Sequence, residues 1–198
     1  ARQGDDRLAR AAALALRRAL LLVTGGPGTG KTTTIARLLV LRIAQSLRAG
    51  LAPPRIALAA PTGRAAERMA ESLRRAVQAI AASGVDPTLC AALPDSASTV
   101  HRLLGTIPDS PGFRHHADNP LPLDVLVVDE ASMVDLPLMC KLVEAVADGT
   151  QLILLGDADQ LPSVEAGDVL AAILDAAGPG HALQEDDVRP LRPLLGAA

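Results

Sequence analysis

Residues 19–32 read Ala-Leu-Leu-Leu-Val-Thr-Gly-Gly-Pro-Gly-Thr-Gly-Lys-Thr, an apolar run breaking into a glycine-rich turn. From Gly25 to Thr32 the turn fits G-x-x-x-x-G-K-[ST], between a candidate strand, Ala19–Val23, and a candidate helix, Lys31–Arg48. The chemistry explains each residue type. Glycines let the backbone curl so that several N–H groups converge on phosphate oxygens, where a Cβ would obstruct. The helix behind adds the partial positive charge of its N-terminus. Lys31 can reach β- and γ-phosphates, and the Thr32 hydroxyl can ligate Mg²⁺. Gly25, Gly26, Pro27, Gly28, Thr29, Gly30, Lys31, Thr32 and Thr33 are therefore read as a nucleotide-binding loop. The lysine stands out, because the chain carries 17 Arg and only 2 Lys.

Outward from this loop, short apolar runs alternate with helical stretches, the pattern of βαβ units and a parallel sheet. Further strands are expected at Ile56–Ala60, Val125–Val128 and Leu152–Leu155. Helices are expected at Leu8–Arg18, Arg64–Ala82, Thr99–Leu104, Leu136–Val146 and Asp168–Ala177, with a loop over Ser110–Pro122. The fold class implied is α/β, a P-loop domain with a mostly parallel sheet flanked by helices. We assign it to residues 1–178, with 179–198 as a linker or tail. With 49% hydrophobic and 21% charged residues, the 198-residue chain is neither disordered nor a disulfide-stapled miniprotein. Its two cysteines suit a reducing cytoplasm, and no apolar run is long enough for a bilayer.

Two further strand ends carry chemistry. Val125–Val128 runs into Asp129 and Glu130. At the carboxyl edge of a parallel sheet, Asp129 suits a water-mediated hold on Mg²⁺ and Glu130 suits polarising an attacking water. The same pair could simply cap the next helix. Leu152–Leu155 delivers Gly156-Asp157-Ala158-Asp159-Gln160 to the same edge, where Gln160 suits contact with a γ-phosphate or its attacking water. Alone, that loop could be a plain turn.

Charge is uneven. Residues 1–141 hold 17 basic against 12 acidic side chains, and residues 142–198 hold 2 against 10. A polyanion favours the first part, although Arg-rich helices can also be merely solvated faces. Phe113 is the single aromatic residue, so base stacking has almost no platform. His115, His116 and Asp118 lie close in sequence but lack metal-site spacing and are read as exposed loop residues.

These residues resemble superfamily 1 helicases, and within them the RecD family of exodeoxyribonuclease V alpha subunits. The resemblance runs from about Leu14 to about Leu174 and is carried by GGPGTGKTTT at 25–34, APTGRAAERMAESL at 60–73 and STVHRLLG at 98–105. It continues through RHHADNPLPLDVLVVDEASMVDLPLM at 114–139 and LLGDADQLPSVEAGDVL at 154–170. It implies a RecA-like first motor domain of a 5′→3′ DNA translocase, using ATP and Mg²⁺ and acting beside RecB and RecC in double-strand break processing and recombination. Lys31, Glu130 and Gln160 are then catalytic, and Thr32 and Asp129 hold the metal. Pro61, Thr62, Gly63 and Arg64 look like the family's single-stranded DNA contact; a helix N-terminus, a hydroxyl and an arginine also make a phosphate grip on physical grounds. Thr99, His101 and Arg102 look like a second strand contact, although His101 also fits a structural histidine.

Two departures are visible. No glutamine stands where relatives read adenine, since only Gln3 precedes position 45. The chain also starts at Ala1 and stops short of a second motor domain with its arginine finger, so we expect a piece of a larger protein that is feeble alone. A nucleotide-gated docking module and a stand-alone helicase without RecB and RecC are the alternative readings.

Overall fold

The structure, a computed structural model, describes residues 16, 18–26, 29–156, 172 and 176. Among the described residues, five strands form one parallel sheet: β1 (Leu20–Thr24), β2 (Ile56–Ala60), β3 (Ser98–Thr99), β4 (Val125–Val128) and β5 (Gln151–Gly156). Their order across the sheet is β1-β5-β4-β2-β3. The helices are α1 (Lys31–Arg48), α2 (Gly63–Ala82), α3 (Pro87–Ala91), α4 (Val100–Leu104) and α5 (Leu136–Ala145), with a 3₁₀ turn at Ala131–Met133.

Alternation along the central strands supplies both faces of the sheet with core residues. Val125, Val127, Ile153 and Leu155 join one cluster with Ile35, Leu39 and Ile43 of α1 and Leu73 of α2. Leu126, Val128, Leu152 and Leu154 join the other, with Leu104 of α4 and Leu142 of α5. β4 is buried throughout, which explains its continuously apolar sequence.

The expected α1, β2 and β4 have the observed bounds; the other matched elements differ by one residue at one or both ends. α3, β3 and the 3₁₀ turn are additions to the sequence reading. Most of the expected helix Asp168–Ala177 (all but residues 172 and 176), the boundary at 178 and most of the expected helix Leu8–Arg18 lie outside the described residues, as do Pro27, Gly28 and Gln160.

At the opposite edge, the strand starts are fastened together. Asp124 Oδ2 accepts hydrogen bonds from Arg55 N at 2.7 Å and Arg55 Nε at 3.1 Å, and Oδ1 accepts one from Arg55 Nη2 at 3.1 Å. The Arg55 guanidinium, chiefly through that hydrogen bond, holds the Asp124 carboxyl below the usual carboxylate range.

Candidate functional site

Because every strand is parallel, every strand end that leads into a following helix opens on one edge. β5 lies between β1 and β4. The loop after β1 and the acidic pair after β4 therefore flank the end of β5, about 10 Å apart at two strand spacings. The register levels them: Thr24 pairs with Gly156, and Val128 pairs with Leu154. Gly25 N donates to Gly156 O at 3.3 Å, tying the start of the loop to the end of β5.

The loop is tightly wound. Thr29 Oγ1 donates to Gly26 O at 2.9 Å, and a Cβ placed on Gly25 would come within 2.8 Å of that same Oγ1. Gly30 has φ 82°, in the left-handed region that favours glycine. Its position caps α1 without a side-chain acceptor, whereas α2, α3, α4 and α5 are capped by Thr62, Asp86, Thr99 and Asp135. Among the described helices, α1 thus begins without an internal side-chain partner for its first N–H groups, as an anion-binding terminus requires. Lys31 Nζ folds back on the loop and donates to Gly25 O and, at 3.1 Å, to Gly26 O. A cavity of about 450 Å³ opens beside it, lined by Gly26, Thr29, Lys31 and Thr32 and also by Ser72 and Arg75 of α2.

Asp129 and Glu130 are half-buried. Asp129 Oδ1 accepts from Glu130 N at 2.9 Å, and Glu130 itself has φ 52°, an uncommon left-handed conformation for a non-glycine residue. The helix-capping alternative is not what the acidic side chains do. Glu130 occupies the cap position of the 3₁₀ turn with no side-chain cap bond, and Asp135 caps α5. Instead, Glu130 Oε1 accepts from Arg68 Nη2 of α2 at 2.8 Å.

The two proposed strand contacts are neighbours, because Ala60 pairs with Thr99 at the outer edge of the sheet. Thr62 Oγ1 accepts from Ala65 N at 3.2 Å and Thr99 Oγ1 from Arg102 N at 3.1 Å, so both hydroxyls cap helices and retain a proton to donate. Arg64 and Arg102 are exposed. His101 is exposed too, with its ring tilted against Phe113 at a centroid distance of 5.8 Å. The rings of His115 and His116 make local turn contacts, His115 Nδ1 with Asn119 O and His116 Nδ1 with Asp118 N and Oδ2, and the His115 backbone N–H donates to Leu104 O at 2.9 Å.

Sequence reasoning missed Arg68, Ser72 and Arg75. Their only signal was their four- and three-residue spacing along α2, which an Arg-rich helix shows whether or not it serves a site.

The AAA domain family matches residues 9–166. The chain is 53% identical over 184 residues to the RecBCD enzyme subunit RecD of Mycobacterium tuberculosis (strain CDC 1551 / Oshkosh), covering 92% of this chain and 30% of that protein. It is 51% identical over 176 residues to the RecBCD enzyme subunit RecD of Mycolicibacterium smegmatis, covering 88% of this chain and 31% of that protein. To the ATP-dependent RecD2 DNA helicase of Deinococcus radiodurans it is 44% identical over 158 residues, 80% of this chain and 18% of that protein. The chain therefore spans less than a third of the length of these relatives, and the RecD resemblance extends over most of its own. With its P-loop at the sheet edge and a match over well more than half its length, the chain belongs to the AAA domain family.

Proposed function

We propose that this chain is the ATP-binding and hydrolysing motor domain of a RecD-type 5′→3′ DNA helicase subunit, acting on single-stranded DNA with RecB and RecC in double-strand break processing. One observation carries the reading: a glycine loop with an uncapped helix and a lysine flanks the same strand end as an Asp-Glu pair. The RecD subunits of Mycobacterium tuberculosis and Mycolicibacterium smegmatis, 53% and 51% identical to this chain, are more similar to it than the ATP-dependent RecD2 DNA helicase at 44%, which favours RecB and RecC as partners. A cytoplasmic setting agrees with the free Cys90 and Cys140 and with the absence, among the described residues, of a helix long and apolar enough to cross a membrane.

In this reading the N–H groups at the start of α1 hold the phosphates, and Lys31 exchanges the Gly25 and Gly26 carbonyls for the β- and γ-phosphates. The donor set fits Mg²⁺: Thr32 supplies a hydroxyl and Asp129 a carboxylate, leaving other positions to water and phosphate. Mg²⁺ held by these residues would supply charge neutralisation at the phosphates. Glu130 orients the attacking water and accepts its proton, and Gln160 contacts the γ-phosphate. Pro61–Arg64 and Thr99–Arg102 grip strand phosphates mainly by charge.

The test is strand-stimulated ATPase activity of the full-length protein. Lys31→Ala should abolish turnover while the folded state is retained. Undiminished turnover in the folded variant would refute the reading.

A further inference from the structure

The contact between Glu130 and Arg68 ties the acidic pair after β4 to the helix that follows the neighbouring strand β2. Arg68 lies 62 residues before Glu130 in sequence, and its Nη2 sits 2.8 Å from Glu130 Oε1. The pair is unequal in exposure: the Glu130 side chain is 24% exposed and the Arg68 side chain 65%. A carboxylate oxygen held this way has that lone pair occupied, so it cannot use it to orient a water. The exposed guanidinium remains accessible to another anion.

The helix that carries Arg68 also carries the proposed strand grip. α2 begins at Gly63, and Arg64 stands one turn before Arg68 on the same face, about 6 Å along the axis. The same stripe continues through Glu71 to Arg75, which lines the cavity beside the P-loop. One helix face thus runs from the strand turn, past the acidic pair, to the phosphate loop. A strand phosphate bound at Arg64 would lie within a turn of Arg68, and a phosphate is a strong competitor for a guanidinium held by one carboxylate oxygen.

We propose that Arg68 is a positioning residue that restrains the Glu130 carboxylate when no DNA is bound, and that a phosphate of single-stranded DNA takes the guanidinium and releases Glu130 to orient the attacking water. Strand binding and hydrolysis are then coupled through a side chain on α2 rather than through the nucleotide. The inference rests on the roles given above to Glu130 and to the turn at Pro61–Arg64.

The experiment measures steady-state ATPase of the full-length protein with and without single-stranded DNA for the native protein, Arg68→Gln, Arg68→Lys and Glu130→Gln. Arg68→Gln should raise the strand-free kcat by about 2- to 5-fold, the range an ion pair of this exposure can hold back. The KM for ATP and the kcat at saturating DNA should stay near native, so the stimulation ratio falls. Arg68→Lys, which keeps the charge, should restore a low strand-free rate. A strand-free kcat that is unchanged or lowered in folded Arg68→Gln overturns the proposal. Glu130→Gln separates this from the underlying reading: if it retains turnover, the role of Glu130 is wrong, whatever Arg68 does.

Discussion

At the residue scale, Glu130 combines three properties that rarely meet in one side chain. It is half-buried, its backbone has φ 52°, and its carboxylate faces a guanidinium from another element. The left-handed backbone is sparsely populated by residues with a Cβ and persists where the surroundings hold it. Here Asp129 Oδ1 accepts from the Glu130 N–H, and the β4 strand feeding the turn is wholly buried. Glu130→Gln keeps the shape and the hydrogen-bonding capacity but removes the base. Nucleotide affinity should stay near native while turnover falls at least ~100-fold, measured by nucleotide titration beside single-turnover hydrolysis. Parallel loss of binding and turnover would make the residue structural.

At the element scale, the sequence was legible where one periodicity ran long enough to override its neighbours. Of the apolar positions Ile35, Leu38, Leu39, Ile43 and Leu47 of α1, the first four are buried and Leu47, in the last turn, is exposed; the helix begins directly after Gly30. β4 was legible as an uninterrupted apolar run between polar residues. α3 was missed because five residues give no period, although Asp86 before Pro87 is a cap followed by a first-turn proline. β3 was missed because Ser98–Thr99 is two polar residues, made a strand only by pairing with Ala59 and Ala60. In the candidate site, the P-loop and the acidic pair were legible because contiguous residues form them. The Arg68 contact was not, because residues 62 apart meet only once α2 packs on the sheet. The Asp124–Arg55 fastening belongs to this scale as well, joining the starts of β2 and β4. Its carboxyl is held low chiefly by the Arg55 hydrogen bond, so its stabilisation is present above the ordinary carboxylate pKa. That stabilisation is lost as pH falls through the lowered value. Asp124→Asn should therefore be less stable than native at neutral pH in denaturant melts, and the gap should close in acid. A gap constant from neutral to strongly acidic pH would show that the charge contributes nothing.

At the scale of the whole molecule, parallel strands and their order do the assembling. β5 inserted between β1 and β4 sets the phosphate loop and the acidic pair two strand spacings apart, and β3 beside β2 brings the two threonine-capped turns together. Core clusters on both faces of the sheet hold that edge rigid, while α2 extends along it from the strand turn to the cavity beside Lys31. On the proposed function, this edge binds nucleotide phosphates through the loop and Lys31. Equilibrium titration of the full-length protein with a fluorescent, non-hydrolysable ATP analogue and Mg²⁺ tests it most directly. The native protein should show saturable, Mg²⁺-dependent binding, weakened at least ~10-fold in Lys31→Ala, as loss of a charged hydrogen-bonding partner of phosphate should do. Equal affinity in the two folded proteins, or no binding by the native one, would contradict it.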